Sequence, residues 1–254
     1  MTITFLGTGT SGGIPVLTCG CRVCRSLDFR DKRLRVSVWI EVEGKSFIID
    51  TGPDFRQQAL RERIPNIDAV IYTHEHKDHT AGLDDVRPYN YLHGIKHLNI
   101  YGHARVLAQL KREFAYAFSE YKYPGVPLIN CQEIENQPFK IDGIDFIPIE
   151  VMHHKLPVFG FRIGDFTYIT DVNYISDSEL EKAYGTKVLV LGALQREPHI
   201  SHFTLSQAVE VAKKVNAQMT YFTHISHKMG LHADVSNELP LNIRLAHDGL
   251  KVYL

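Results

Sequence analysis

The sequence predicts an α/β fold in which two β-sheets pack face to face and helices cover the outer faces, an αββα sandwich of four layers. Short β-branched runs alternate with amphipathic segments through the first half of the chain, and the second half repeats this order. No Pro/Ser/Gly-rich linker divides the 254 residues. We therefore expect one domain over residues 1–254, made of two similar halves.

The first half begins with a strand, Ile3 to Leu6, and a Gly-rich segment from Thr8 to Gly13 whose N–H groups could face an anion. A long loop with three cysteines follows. Strands are then expected at Val36 to Val42, Ser46 to Asp50, Asp68 to Thr73 and His97 to Tyr101. A helix is expected at Phe55 to Arg63. A second helix would place five apolar residues on one face: Val106, Leu107, Leu110, Phe114 and Phe118.

The second half contains five strand candidates: Ile144 to Met152, Val158 to Arg162, Thr167 to Thr170, Lys187 to Leu191 and Gln218 to Thr223. A helix carries apolar residues from Leu205 to Val215, and Thr204 with Gln207 predicts a capping box at its start. In a sandwich of this kind the strand ends meet along one edge. Residues that follow the strands can therefore converge there.

The charge of the chain is nearly balanced, with 28 Lys plus Arg against 29 Asp plus Glu, and no block of like charge occurs. This composition does not indicate non-specific binding to nucleic acid or to anionic membranes. The first residues do not resemble a secretory signal, and no apolar run reaches the length of a membrane span. We expect a cytoplasmic protein with neither a membrane nor a nucleic-acid partner.

Four metal-ligating side chains lie within six positions directly after the predicted strand that ends at Thr73. His74 and His76 are two apart on an extended chain, so their side chains point the same way. Asp78 and His79 follow where a helix could start. Imidazole nitrogens with a carboxylate suit zinc or a related divalent ion. The segment therefore predicts a metal site rather than a polar surface loop.

These four residues cannot complete two metal sites, so further ligands must come from later strand ends. Asp171 and His224 each follow a β-rich run, and so does the pair His153 and His154. The sequence leaves open which of these two neighbouring histidines is the ligand.

The loop at about residues 18–26 contains three closely spaced cysteines: Cys19, Cys21 and Cys24. Three thiolates in six positions favour a structural zinc site over disulfides, and such a site needs a fourth ligand. His227 is the candidate. The alternative is a set of reduced, buried cysteines, which is the role expected for Cys131.

The segment from His74 to His79 matches in full the motif His-x-His-x-Asp-His of the metallo-β-lactamase superfamily, which the sequence resembles over nearly its whole length. The resemblance implies the αββα fold of that superfamily and a metal-dependent hydrolase. It assigns His74, His76 and His153 to a first metal. It assigns Asp78, His79 and His224 to a second, with Asp171 bridging the two.

Within the superfamily, the Cys-x-Cys-x-x-Cys loop, Gly7-Thr8-Gly9 and the segment Thr223 to His227 resemble the PhnP-type phosphodiesterases. This implies a small cyclic or diester phosphate substrate, two active-site ions (zinc or manganese), one structural zinc and attack by a metal-bridging hydroxide. Asp78 and His202 would be the catalytic residues. His202, or alternatively His199, would protonate the leaving alkoxide or hold a phosphate oxygen. Relatives are commonly homodimers.

Other members of the superfamily provide the alternatives. Lactone or thioester hydrolysis uses the same ligands with carbon as the electrophile. Transfer-RNA 3′ processing shares the motif, but the near-neutral charge and the lack of an inserted basic arm count against it. A non-catalytic accessory protein of pyrroloquinoline quinone synthesis has a similar cysteine loop, but often an incomplete ligand set. The redox branch has a glutamate where this chain has His76, which favours hydrolysis over electron transfer.

Overall fold

The computed structural model of the protein describes residues 1–92, 94, 96–121 and 123–254. Two β-sheets of seven strands each lie face to face. Apolar clusters fill the space between the sheets and the outer face of each sheet, where the helices pack. The predicted αββα arrangement is confirmed.

The first sheet comes from the first half of the chain and the last strand. Its strands are β1 (Thr2–Gly7), β2 (Ser37–Val42), β3 (Lys45–Ile49), β4 (Ala69–Ile71), β5 (Leu98–Gly102), β6 (Ile129–Glu133) and β14 (Lys251–Tyr253). Their order is β14-β1-β2-β3-β4-β5-β6. β14, β1, β2 and β3 pair antiparallel, whereas β3 to β6 pair parallel.

The second sheet has the same composition of antiparallel and parallel pairs. Its strands are β7 (Phe139–Ile141), β8 (Ile144–His153), β9 (Leu156–Ile163), β10 (Phe166–Ile169), β11 (Val188–Gly192), β12 (Met219–Thr223) and β13 (Ile243–Leu245). They lie in the order β13-β12-β11-β10-β9-β8-β7, with β10 to β13 parallel. Half of the strand pairs in each sheet are therefore parallel.

Seven α-helices occur among the described residues: α1 (Phe55–Glu62), α2 (Lys77–Thr80), α3 (Ala104–Glu113), α4 (Ala115–Phe118), α5 (Asp177–Glu181), α6 (Leu205–Val215) and α7 (His232–Ser236). Two 3-10 segments cover Phe29–Asp31 and Leu83–Asn90. α1 and α3 pack on the first sheet, and α5, α6 and α7 pack on the second. No helix in the described part of the chain has the length and apolar character needed to cross a membrane.

Aromatic residues join the two sheets. Phe47 of β3 meets Phe146 of β8 edge to face at 5.3 Å, and both side chains are fully buried. Pairs of this kind add stability to the apolar burial that drives sheet packing. The sheets are thereby held in a fixed relative position, which the strand ends at the site require.

Most predicted elements are confirmed, with ends that differ by one or two residues. The capping box of α6 is present, since Thr204 and Gln207 bond each other's backbone N–H groups. One prediction is wrong: the helix expected to reach Phe118 is interrupted at Phe114, whose non-helical backbone separates α3 from α4. Four short strands were not predicted from the sequence: β6, β7, β13 and β14.

Candidate metal centre

A first group of ligand atoms comes from the end of β4 and the end of β8. His74, His76 and His153 each place a ring nitrogen within 4.8 Å of the others, and His74 Nε2 lies 3.0 Å from His76 Nδ1. His153 Nδ1 lies 2.9 Å from the Ser201 carbonyl oxygen, to which it donates, so Nε2 is the free ligand atom. His154 is exposed at the turn with φ of 58° and, among the described residues, belongs to no such group.

A second group comes from α2 and from the ends of β10 and β12. Asp78, His79, Asp171 and His224 hold ligand atoms within 4.8 Å of one another. Asp171 lies between the groups, since its oxygens are 3.2 Å from both His79 Nε2 and His224 Nε2 and 3.9 Å from His153 Nε2. The structure therefore brings together all seven residues that the resemblance assigned to the active-site metals.

The short helix α2 explains how adjacent residues reach the second group. His76 is extended at its N-cap, and the helical turn that follows directs both Asp78 and His79 inward. Asp50 contacts the ring nitrogen of His79 that is not the candidate ligand atom: Asp50 Oδ2 accepts a hydrogen bond from His79 Nδ1 at 2.7 Å. Asp50 also accepts from Thr73 N and Oγ1 at 2.9 and 2.8 Å. Asp50 was not predicted from the sequence as a site residue, although it directly follows the strand β3.

The second group has the chemistry of a cation site. The Nε2 atoms of His79 and His224 are buried without a hydrogen-bond partner in the described part of the protein. Burial lowers the pKa of His79, but Asp171, Asp78 and Asp50 raise it well above its ordinary value. Burial likewise raises the pKa of Asp171, but His224 and His79 bring it well below the usual range. Buried carboxylates beside unpartnered imidazoles fit a divalent ion.

His202 lies against both groups. Its ring stacks on that of His224 at 4.7 Å and lies 4.5 Å from that of His153. Burial, together with the neighbouring His224, lowers the pKa of His202 to about 3, so the imidazole is neutral at neutral pH. Its Nε2 is 3.9 Å from Asp171 Oδ2, whereas His199 is exposed. Of these two histidines, His202 is the one the structure places at the site.

The site opens to a cavity of about 450 Å³. Its lining consists of the ligands His76 and His153, the turn residues His154 and Lys155, and the side chains Leu156, Ile200 and Ser201. A small molecule can therefore approach the first group directly.

The three cysteines of the amino-terminal loop surround one imidazole. The Sγ atoms of Cys19, Cys21 and Cys24 lie 3.3, 3.5 and 3.6 Å from His227 Nδ1. Zn–S and Zn–N bonds in a tetrahedral site imply a sulfur-to-nitrogen separation of about 3.5 Å, so the geometry fits zinc. The backbone N–H of Cys24 lowers the pKa of Cys21 to about 6, which favours the thiolate. Cys131 lies apart on β6. It is only partly buried, whereas a buried cysteine was expected.

Three N–H groups of the Gly-rich segment bond within the protein rather than facing an anion. The N–H groups of Gly9, Thr10 and Gly13 donate to Leu34, Ile225 and Thr10 carbonyl oxygens, so they are not free to face an anion. Ile225 N–H in turn donates to the Thr8 carbonyl at 2.9 Å. These bonds attach the amino-terminal loop to the segment that carries His224 and His227.

Comparison with known proteins agrees with this geometry. Residues 45–225, more than half of the chain, match the family described as a beta-lactamase superfamily domain. The chain belongs to the metallo-β-lactamase superfamily. Membership of this superfamily and the ligand clusters support a metal-binding hydrolase.

Three similar proteins match this chain over at least 98% of its length. A crystal structure of a diphosphatase from the PhnP family is 42% identical, with a TM-score of 0.93, over 100% of this chain and 97% of that one. An octanoyltransferase of Porphyromonas gingivalis is 38% identical over 98% of this chain and 51% of its own length. Zinc-bound PqqB from Methylobacterium extorquens, 18% identical over the full length of both chains with a TM-score of 0.79, shows the shared fold. The chain spans about half or less of the curated relatives it matches.

Proposed function

We propose that the protein is a metal-dependent phosphodiesterase that hydrolyses a small cyclic or diester phosphate. The observation that carries this proposal is the pair of ligand groups, joined by Asp171, of which the first lines a surface cavity through His76 and His153. The full-length similarity to a PhnP-family diphosphatase supports phosphorus over carbon as the electrophile.

Each side chain has a proposed part in holding the two ions. His74, His76 and His153 would bind one ion, and Asp78, His79 and His224 the other, with Asp171 contacting both. Two divalent ions supply Lewis acidity, which acidifies water and neutralises charge on phosphoryl oxygens. Manganese or zinc suits this mixed imidazole and carboxylate set.

The protein's own groups complete the chemistry. Burial raises the pKa of Asp78, but the nearby His79 and His224 bring it far below the usual range, so Asp78 remains an anionic ligand. His202 is neutral, so its N–H can donate to a phosphoryl oxygen or to the leaving oxygen as negative charge develops there. Its stacking on His224 restrains the plane of the ring that carries this donor.

The experiment compares two adjacent histidines. His153→Ala should abolish metal-dependent hydrolysis of bis(4-nitrophenyl) phosphate, whereas His154→Ala should retain it, because only His153 belongs to a ligand group. Both variants would be loaded with zinc or manganese and their metal content measured. Equal loss in both variants, or no diesterase activity in fully metallated native protein, would refute the assignment.

A second candidate is cleavage of a diphosphate bond, which the PhnP-family diphosphatase favours. Diphosphate diesters would be tested beside phosphodiesters, and the higher kcat/KM identifies the preferred bond. An octanoyl thioester and a lactone complete the panel, because the Porphyromonas gingivalis relative is an octanoyltransferase. Turnover of these carbon esters alone would replace the phosphodiesterase proposal. Inactivity across the panel would favour an accessory role.

We propose a structural zinc on Cys19, Cys21, Cys24 and His227, a cytoplasmic location and a homodimer. Metal analysis, cell fractionation and light scattering respectively test them.

A further inference from the structure

One face of α3 contacts the loop that carries His74 and His76. Three polar residues spaced four apart, and therefore on the same side of the helix, point at this loop: Arg105, Gln109 and Glu113. The opposite side of α3 is anchored by Val106, Leu107 and Leu110, which are buried against the first sheet. The helix is thus fixed on the sheet, and its polar face can support the loop.

The contacts concentrate on Glu75, the residue between His74 and His76. Arg105 Nε donates to both Glu75 carboxylate oxygens at 2.9 and 3.0 Å, and Gln109 Nε2 donates to the Glu75 carbonyl at 2.7 Å. Lys77 forms an ion pair with Glu113 at 2.8 Å, but its side chain is 67% exposed, so this contact is the weakest of the three.

Arg105 also reaches the other half of the site. Its Nη2 donates to the carbonyl of Pro157 at the start of β9, next to the hairpin turn that follows His153. The same two segments are also joined directly, since the Phe159 N–H donates to the Thr73 carbonyl at 3.1 Å. Arg105 therefore links Glu75 to Pro157, two residues further along the first segment and two residues earlier on the second.

We propose that Arg105 is a positioning residue that sets the spacing between His74 and His76 on one segment and His153 on the other, and thereby the metal affinity of the first group. A guanidinium can donate in two directions at once from a planar fork, which a lysine ammonium on a flexible stem does not reproduce. This inference rests on the metal centre of the proposed function.

The test measures metal affinity, not activity. Arg105→Met should weaken one of the two active-site metals about 10–100-fold in competition with a chromophoric zinc chelator, the range typical of lost ligand support. Arg105→Lys should restore only part of this loss. Arg112→Met is the matched control, because Arg112 is exposed on the same helix and forms no ion pair with any described residue. It should bind metal as the native protein does.

A double variant identifies the affected group. With His153→Ala the first group is already broken, so adding Arg105→Met should cause no further loss of the remaining active-site metal. Native affinity in Arg105→Met, full rescue by Arg105→Lys, or an equal further loss in the His153→Ala background would overturn the proposal. Native protein that binds both metals but cleaves no phosphoester would refute the proposed function alone, and these affinities would still decide the role of Arg105.

Discussion

Replacing Asp50 by Asn tests how the second group of ligands is oriented. Asp50 has no exposed surface and accepts three hydrogen bonds, two from Thr73 and one from His79 Nδ1. Asn has nearly the same size and tolerates the φ of 64° found at this position. The substitution therefore changes the hydrogen-bonding capacity of the side chain with little change in shape.

The expected consequence is a change of tautomer at His79. The amide NH₂ of Asn cannot accept from Thr73 and from His79 as the carboxylate does, so one buried bond to a charged group is lost, at about 1–3 kcal/mol. Because burial raises the pKa of Asp50, removing the charge offsets part of this cost. If the amide donates to His79 Nδ1, the proton moves to Nε2 and blocks the ligand atom. Metal affinity of the second group should fall about 10–100-fold.

The assay is chelator competition with zinc, combined with thermal unfolding of the metal-free protein. Asp54→Asn is the matched control, because Asp54 lies in the same turn and accepts from Arg35 rather than from a candidate ligand. Asp50→Asn should lose affinity, and Asp54→Asn should not. Unchanged affinity in Asp50→Asn, or an equal loss in both variants, would refute the orienting role.

Three further predictions follow from the site and its support. His202→Ala should lower kcat about 10²–10⁴-fold without loss of metal, the range for a positioned proton donor, whereas His199→Ala should have little effect; equal effects would contradict the assignment. Cys21→Ser should remove one zinc per chain and lower the melting temperature, whereas Cys131→Ser should change neither. Burial and the nearby Arg33 lower the pKa of His232 to about 4 from 6.5, so the neutral ring is favoured in the fold. The contribution of the neutral His232 to stability is fully present above pH 6.5 and is lost as the pH falls toward 4, because the unfolded chain binds the proton first. Urea unfolding should therefore give a smaller difference in unfolding free energy between pH 5 and pH 7.5 for His232→Gln than for the native protein.

The ligands were predictable because each occupies a distinctive place in the sequence. His74 and His76 lie two apart after a β-branched run, and Asp171 and His224 follow further strands. The carboxyl ends of parallel strands share one edge of a sheet, so sequence distance between these residues does not separate them in space. The αββα fold followed from the same alternation of strands and helices.

Other features depend on contacts that have no local signal. Whether His153 or His154 is the ligand is decided by the turn between β8 and β9, which begins after His153. Asp50 resembles any aspartate in a Gly/Pro turn until β3 is seen beside the parallel strand β4. The edge strand β14 is short, and it forms only because Val252 and its neighbours pair with β1, nearly the whole chain away.

The contacts of α3 were equally hidden. Arg105 and Glu75 lie 30 positions apart on a helix and in a loop, and an isolated arginine on a helical surface predicts only a solvated side chain. The hydrogen bond from Arg105 to the Pro157 carbonyl joins residues 52 positions apart. Arg105 lies on α3, which packs on the first sheet, and Pro157 lies in β9 of the second sheet. Only the packed structure shows that one side chain contacts both segments that carry the first ligand group.

Anomalous diffraction from crystals of the protein loaded with zinc, recorded on both sides of the zinc absorption edge, would show whether the clustered residues form two adjacent metal sites and a separate zinc site. Three peaks per chain are expected: one among His74, His76 and His153, one among Asp78, His79, Asp171 and His224, and one among the three cysteines and His227. The absence of a peak at either of the first two groups in fully loaded protein would contradict the proposed metal centre.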